Sequence, residues 1–240
     1  MIIEILAYEV ANLYGEHGHQ MLFEDVFKHH QLVNTSLLEK PYFVDHDVDF
    51  IYLGTLSEKY QYALLQNLLC YRQRLIELIE SNTTFFVTGN GLDLFGSTID
   101  YEQFGKVEAL NIFDFHTIQS YRSRLNCYIL GQYQDFELTA HKTQFSESFY
   151  GNDFKDFFFE TSQGFGLNRK TNQEGVRYKN FYGTQCIGPF LLLNPLFMNH
   201  FLHKIHPDLK LPVNYDTLVL AYQQRLEEFK SGQYQQIMKL

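Results

Sequence analysis

Residues 83–96 read TTFFVTGNGLDLFG. The first six are β-branched or aromatic, the composition of a buried strand. They run without a linker into Gly89-Asn90-Gly91, and Leu92-Asp93-Leu94-Phe95-Gly96 follows. A buried strand that meets a glycine-rich turn and then a helix start is a strand–turn–helix unit. Such units build parallel sheets whose strands are joined by crossover helices.

Outward from this turn, the first half of the chain repeats the alternation. Residues 2–8 form a short apolar run suited to a buried strand, and residues 48–53 (VDFIYL) form another that ends at Gly54. Between them, residues 19–30 place Met21, Leu22, Val26 and Phe27 at helical spacing. Residues 62–80 carry Leu64, Leu65, Leu68, Leu69, Leu75, Ile76 and Ile79, which predicts a helix of about five turns punctuated by Asn82. The second half changes character. Residues 109–116, 126–131, 136–140, 157–161 and 178–185 read as short strands, and residues 149–177 as loops around an edge strand. Asn194-Pro195 opens a helix with proline at its first position, and His206-Pro207 ends it. Residues 215–229 predict a terminal amphipathic helix with Leu218, Tyr222, Leu226 and Phe229 on one face. Packing on its own domain is its expected role, and partner binding is the alternative. The pattern predicts an α/β fold, a three-layer sandwich whose mostly parallel central sheet is extended by strands of the second half. One domain is expected over residues 1–205, with residues 206–240 as a C-terminal extension.

Composition narrows the function classes. With 240 residues, 45% of them hydrophobic and 17% aromatic, the chain can bury a core without staples. A formal net charge of −9 argues against a nucleic-acid partner. Cys70, Cys127 and Cys186 form no CxxC pair and read as free thiols of a reducing compartment. No stretch approaches the roughly 20 apolar residues of a membrane span, and no basic leader precedes the first strand, so the expectation is a cytoplasmic protein without membrane insertion. No metal site is expected. His29 and His30 point to different helix faces, and His17 and His19 lack a carboxylate at matching spacing. His200, His203 and His206 read as a solvated helix edge, and Asp45, Asp47 and Asp49 as a strand entry. No cofactor is expected either, because Gly89-Asn90-Gly91 lacks the Lys-Ser or Lys-Thr of a phosphate loop.

Covalent catalysis at the top of an α/β sheet uses a sharp strand-to-helix turn that exposes one nucleophilic side chain. Residues 83–96 have that form, yet Gly89 stands where cysteine or serine would. Thr88 and Asn90, one place off, point elsewhere along the alternating strand and are poor substitutes.

Four segments, in order, resemble the class I glutamine amidotransferases of the CobB/CobQ type. Asn12-Leu13-Tyr14-Gly15-Glu16 with Gly18 is similar to the family's NLYGDxG motif. Asp49 to Gly54 (DFIYLG) is similar to the strand ending in its glycine triplet, and Val87 to Gly96 (VTGNGLDLFG) to its nucleophile elbow. Gly175-Val176-Arg177-Tyr178-Lys179-Asn180, Gly183-Thr184, Gly188-Pro189 and Asn194-Pro195 match the segment that carries the catalytic histidine. The resemblance implies a flavodoxin-like fold. It also implies a glutaminase subunit that works with a Mur-ligase-like protein in amidating a cell-wall (peptidoglycan) precursor, or in cobyrinate-type amidation. The departures fall on the chemistry. Gly89 replaces the nucleophile, Ile187 replaces the base, and Gly54-Thr55-Leu56 replaces the triplet that helps form the oxyanion site. The family's His-Gly-Gly is matched by His141-Lys142-Thr143, and its glutamine-binding arginine by Arg124-Leu125, with Arg122 close by. Gly54, Thr55, Gly89, Asn90, Arg124 and His141 are the expected ligand-binding positions. Losing nucleophile or base typically costs on the order of 10⁶ in rate. The expectation is a degenerate amidotransferase with no catalytic residue, acting by binding or regulation. The alternative is an active amidotransferase or hydrolase with a displaced nucleophile, for which Cys186, otherwise a buried strand cysteine, is the candidate.

Overall fold

In chain order the strands and helices of the first half are β1 (Ile2–Leu6), α1 (His17–Val26), β2 (Gln31–Thr35), β3 (Phe50–Leu53), α2 (Glu58–Leu68), α3 (Arg72–Glu80), β4 (Thr84–Thr88), β5 (Thr98–Tyr101) and β6 (Gly105–Glu108). Then come β7 (Phe115–Gln119), β8 (Leu125–Tyr133), β9 (Phe136–Gln144), β10 (Ser146–Tyr150), β11 (Phe159–Gln163), β12 (Gln173–Glu174), β13 (Val176–Tyr178) and β14 (Phe181–Thr184). Among the described residues three helices follow: α4 (Phe190–Leu193), α5 (Pro195–Ile205) and α6 (Tyr215–Lys230). The computed structural model describes residues 1–102 and 105–232. The end of the expected extension therefore lies outside the described residues.

The central sheet runs β13-β14-β4-β3-β1-β2, parallel except where β13 pairs antiparallel with β14. Side chains alternate across it, as the strand period requires. Ile51, Leu53, Phe85, Val87 and Phe181 join a core with α2 and α3, whereas Ile3, Ile5, Phe50, Tyr52, Phe86 and Tyr182 join a second core with α1 and α5. These are the three expected layers of a mixed α/β fold.

The second half departs from the expected extension of the sheet. Among the described residues, only β13 and β14 join it. The other strands form two four-stranded sheets, β10-β7-β5-β6 and β12-β11-β8-β9. Ile99, Tyr101 and Phe115 of the first lie in the α2/α3 core, and Leu125, Cys127, Ile129 and Leu138 of the second lie in the α1/α5 core. Their period-2 pattern signals strands but carries no information on which sheet they enter.

Three local differences have physical causes. The long helix of residues 62–80 begins earlier, at Glu58, where Ser57 caps it, and breaks at a 3-10 turn over Leu69–Tyr71. Beyond the break, Arg72 donates to the carbonyls of Leu110 and Asn111. Residues 109–114 are loop, held by backbone bonds to Leu94, Phe95 and Gly96. Met21 is 59% exposed, and Phe23 takes its expected place in the core. The terminal helix α6 packs its Tyr222 and Phe229 inward. Tyr222 Oη donates to Glu137 O, and Arg225 Nε donates to Thr139 Oγ1.

Candidate functional site

The parallel order places β3 and β2 on opposite sides of β1. At such a switch point the loops leaving the carboxyl ends of the strands diverge and open a crevice. Here the loops after β1, β3, β4 and β14 border a pocket of about 240 Å³, whose walls include Tyr14, Thr55, Leu56, Glu58, Asn90 and Ile187.

Gly89 begins a fully buried 3-10 segment, Gly89–Phe95, in place of the expected α-helix. Its φ of +57° lies in the left-handed region that glycine adopts at least cost. The sharp turn is therefore present, but no room remains for a side chain. A Cβ on Gly89 would lie 2.0 Å from Thr55 Oγ1 and 2.8 Å from Thr55 Cβ. Thr55 fills the space into which a side chain at position 89 would project.

The donors around the turn are also engaged. Asn90 clamps Leu56 from both sides, with Oδ1 accepting from Leu56 N at 2.9 Å and Nδ2 donating to Leu56 O at 2.9 Å. Gly89 N donates to Cys186 O at 3.1 Å. Ile187 is buried against the pocket, and its N–H donates to His141 O. The position can neither accept nor relay a proton. Gly54 remains glycine because a Cβ there would lie 2.2 Å from Ala11 O.

Beneath the turn lies a buried carboxylate that the sequence flagged only as a motif residue. Glu16 Oε2 accepts from Tyr52 Oη at 2.5 Å and from Thr88 Oγ1, and Oε1 accepts from Thr55 Oγ1 at 3.2 Å. His19 Nδ1 lies 2.9 Å from Tyr52 Oη and 3.4 Å from Glu16 Oε2. Its Nε2 accepts from Leu191 N, which assigns the ring proton to Nδ1. Burial and the Glu16 charge push the Tyr52 phenol well above its usual range. Thr88 therefore serves Glu16, and His19 is a core residue.

A second carboxylate, absent from the sequence-based candidates, lies behind the pocket wall. Asp93 Oδ1 accepts from Gln185 Nε2 at 2.6 Å and Ser148 Oγ at 3.3 Å; Oδ2 accepts from Ser146 Oγ at 3.1 Å and Gln61 Nε2 at 3.2 Å. Burial raises its pKa to about 6 against the pull of these four donors. Its signal in the sequence was a single carboxylate inside the apolar run Leu92-Asp93-Leu94-Phe95.

The remaining candidates separate. Arg124 stands at the rim, donating to Tyr14 Oη at 3.1 Å and lying 4.9 Å over the Phe145 ring. His141 faces a different cleft, under α6, where its Nε2 pairs with Asn126 Oδ1. Cys186 is wholly buried and its thiol is pushed well above its usual range by burial. His200 and His203 lie on α5, while Asp45, Asp47 and Asp49 engage Lys40, Arg74 and Ile2 N respectively. Among the described residues, no group of three or more His, Cys, Asp or Glu side chains is placed to hold a metal ion, and no helix is long and apolar enough to cross a membrane.

No protein-family model matches the chain. Two curated proteins are similar to it, both the GatD subunit of lipid II isoglutaminyl synthase (glutamine-hydrolysing). That of Staphylococcus aureus strain N315 is 25% identical over 197 residues, covering 80% of this chain and 79% of the relative. That of Streptococcus pneumoniae strain R6 is 21% identical over 240 residues, covering 92% and 88%. Two solved glutamine amidotransferases share the fold at 9% identity. One has a TM-score of 0.56 over 85% of this chain and 99% of its own. The other, from Thermotoga maritima, has a TM-score of 0.50 over 96% and 94%. The three-layer fold is thus the one seen in solved glutamine amidotransferases. In sequence the chain is similar to the two GatD subunits, at modest identity.

Proposed function

We propose that this chain is a non-hydrolysing GatD-like subunit that acts by binding rather than by releasing ammonia from glutamine. The observation that carries the reading is the occupation of the elbow. Thr55 stands 2.0 Å from where a side chain on Gly89 would begin. Acyl transfer by a thiolate needs the nucleophile, a base and open oxyanion donors. Here the nucleophile is absent and Ile187 stands at the base position, while Asn90 and Cys186 O engage the nearby N–H groups. Cys186 is a poor replacement, since a buried thiol with a raised pKa yields little thiolate.

The named relatives are subunits of lipid II isoglutaminyl synthase. By extension, the chain works in the cytoplasm with a Mur-ligase-like subunit on a cell-wall precursor, with the fold kept for contact or regulation. Residues 1–205 would form the domain that carries the pocket, with residues 206–240 as its C-terminal extension. Thr55, Asn90 and Arg124 line or border the pocket that a ligand would enter.

The test is to incubate purified protein with glutamine, alone and with a Mur-ligase-like subunit from the same cell. Ammonia and the mass after exposure to a glutamine-mimicking electrophile are then measured. No ammonia above buffer and no adduct are expected. Ammonia release that disappears in Cys186→Ala would overturn the reading. Co-elution of the two proteins on size exclusion tests the partner, and separate elution at micromolar concentration argues against it.

A further inference from the structure

Asp93 is hydrogen-bonded to one residue of the elbow pocket's wall and reaches two more through one intervening side chain each. Ser146, a wall residue, donates to it directly. Gln144, also in the wall, donates to Gln185 Oε1, and Gln185 Nε2 donates to Asp93. Asn90, three residues earlier on the same turn, holds Gln61 through its carbonyl at 2.6 Å, and Gln61 donates to Asp93. One carboxylate thus ties together α2, the turn after β4, β10 and the segment after β14. We propose that Asp93 is a proton-operated latch on this pocket: neutral, it holds the wall closed; ionised, it favours an opened wall in which the carboxylate reaches water.

The sign follows from linkage. A group whose pKa is higher in the closed state than in an open, hydrated one favours closure when protonated. Asp93 is raised from 3.8 to about 6 by burial, so closure weakens as pH climbs through that interval. The proton is easily housed. Ser148 Oγ, which shares a hydrogen bond with Thr117 Oγ1, can turn to accept from a neutral Asp93 while donating to Thr117. Few other charges compete. The Asp93 charge reaches the buried Tyr101 phenol of β5, which stays protonated because burial pushes it far above its usual range. Beyond Gln185 lies the buried Lys142–Glu174 pair of β9 and β12, with each side chain matched by the other. From α2 and β10 the groups bonded to Asp93 are uncharged: Gln61, Ser146 and Ser148; the charged Glu58 of α2 stands in the pocket wall and, like Asp93, acts on Tyr101. Gln61 Oε1 is buried without a partner, so the closed wall is not fully satisfied and an opened state can hydrate it.

The latch holds whether or not the pocket hydrolyses anything, so its test needs neither glutamine nor a partner. Backbone hydrogen exchange is followed from pH 4.5 to 7.5 and corrected for the intrinsic pH dependence. The amides of Leu56 and Ile187 report the wall, and that of Ile5 in β1 serves as the control. A shift of roughly two pKa units allows a rise of up to about 25-fold in wall opening between pH 4.5 and 7.5. We expect at least about a tenfold excess at Leu56 and Ile187 over Ile5, absent in Asp93→Asn. No excess in the native protein, or the same excess in Asp93→Asn, overturns the latch. Should Asp93→Asn not fold, carboxyl-carbon NMR titration of the native protein decides. Titration of Asp93 near 6 together with the exchange step supports the latch, and titration near 4 overturns it.

Discussion

Two buried carboxylates flank the elbow, and they are built from different parts of the molecule. Glu16 gathers Tyr52 of β3, Thr88 of β4, Thr55 and the His19 ring, all at the ends of neighbouring parallel strands or on α1. Asp93 gathers Gln61, Ser146, Ser148 and Gln185 from α2, β10 and the loop after β14. The first is a floor inside one sheet, and the second is a joint between layers. A floor cannot be disturbed without unsatisfying the sheet ends above it, whereas a joint can open by moving one layer. The sharpest way to break this contrast is Glu16→Ala. It leaves several buried donors without an acceptor at about 1–3 kcal/mol each, so a loss on the order of 5 kcal/mol in urea unfolding is expected. A loss under about 1 kcal/mol would mean that the floor carries no structural weight.

The next effect tests whether Gly89 and Thr55 are one replacement or two. Gly89→Cys must place Cβ against Thr55 at a left-handed φ. Overpacking at 1–3 kcal/mol and left-handed strain at 1–2 kcal/mol give a cost of about 3–4 kcal/mol. Thr55→Gly removes the obstruction but costs Glu16 a donor. In the double-mutant cycle the pair should recover about 1–2 kcal/mol relative to the sum of the singles. Additivity within about 0.5 kcal/mol would show that the two positions are independent. Added glutaminase activity is not expected even with Ile187→His, because Asn90 still occupies Leu56 N.

The same contrast explains what the sequence disclosed. The apolar runs of β1, β3 and β4 and the glycine turn at residues 89–91 are local signals, and each predicts its element directly. Proline at the start of α5 is equally local. The sheet entered by β5 to β12 depends on pairings many residues apart, which a period of two does not encode. At the site, the identities of Gly89 and Ile187 were legible, and neither side chain can act as nucleophile or base. That Thr55 fills the elbow, that Asn90 clamps Leu56, and that His141 turns away are facts of side-chain placement between segments 34 or more residues apart. Asp93 was missed, although a lone carboxylate within the apolar run Leu92-Asp93-Leu94-Phe95 was its local signal.

Acid titration isolates the joint. A carboxylate whose folded pKa is raised contributes stability that is fully present below its unfolded value and is lost as pH rises through the folded value. For Asp93 the interval is about 3.8 to about 6. Two pKa units correspond to about 2–3 kcal/mol, so on this account alone the protein is more stable at pH 4 than at pH 7 by that amount. Unfolding free energies at the two pH values, compared between the native protein and Asp93→Asn, isolate the contribution. A variant with the same slope as the native protein would assign the pH dependence elsewhere, the raised and buried Glu4 being the next group to examine.

The smallest effect belongs to the rim. Arg124 is exposed, and its guanidinium reaches Tyr14 Oη and the Phe145 ring without leaving water. Cation–π contacts at exposed sites contribute about 0.5–1 kcal/mol, and a hydrogen bond open to solvent adds little. Arg124→Ala should therefore lower stability by about 0.5 kcal/mol, a shift of roughly 1–2 °C in Tm for a chain of this size. Tyr14 is 49% exposed at a left-handed φ of +57°, so losing its brace should instead appear as faster backbone exchange confined to the loop after β1. A cost near that of Glu16→Ala would place the rim within the same cooperative unit as the floor, and the elbow would then be one rigid body rather than a fixed floor beneath a movable wall.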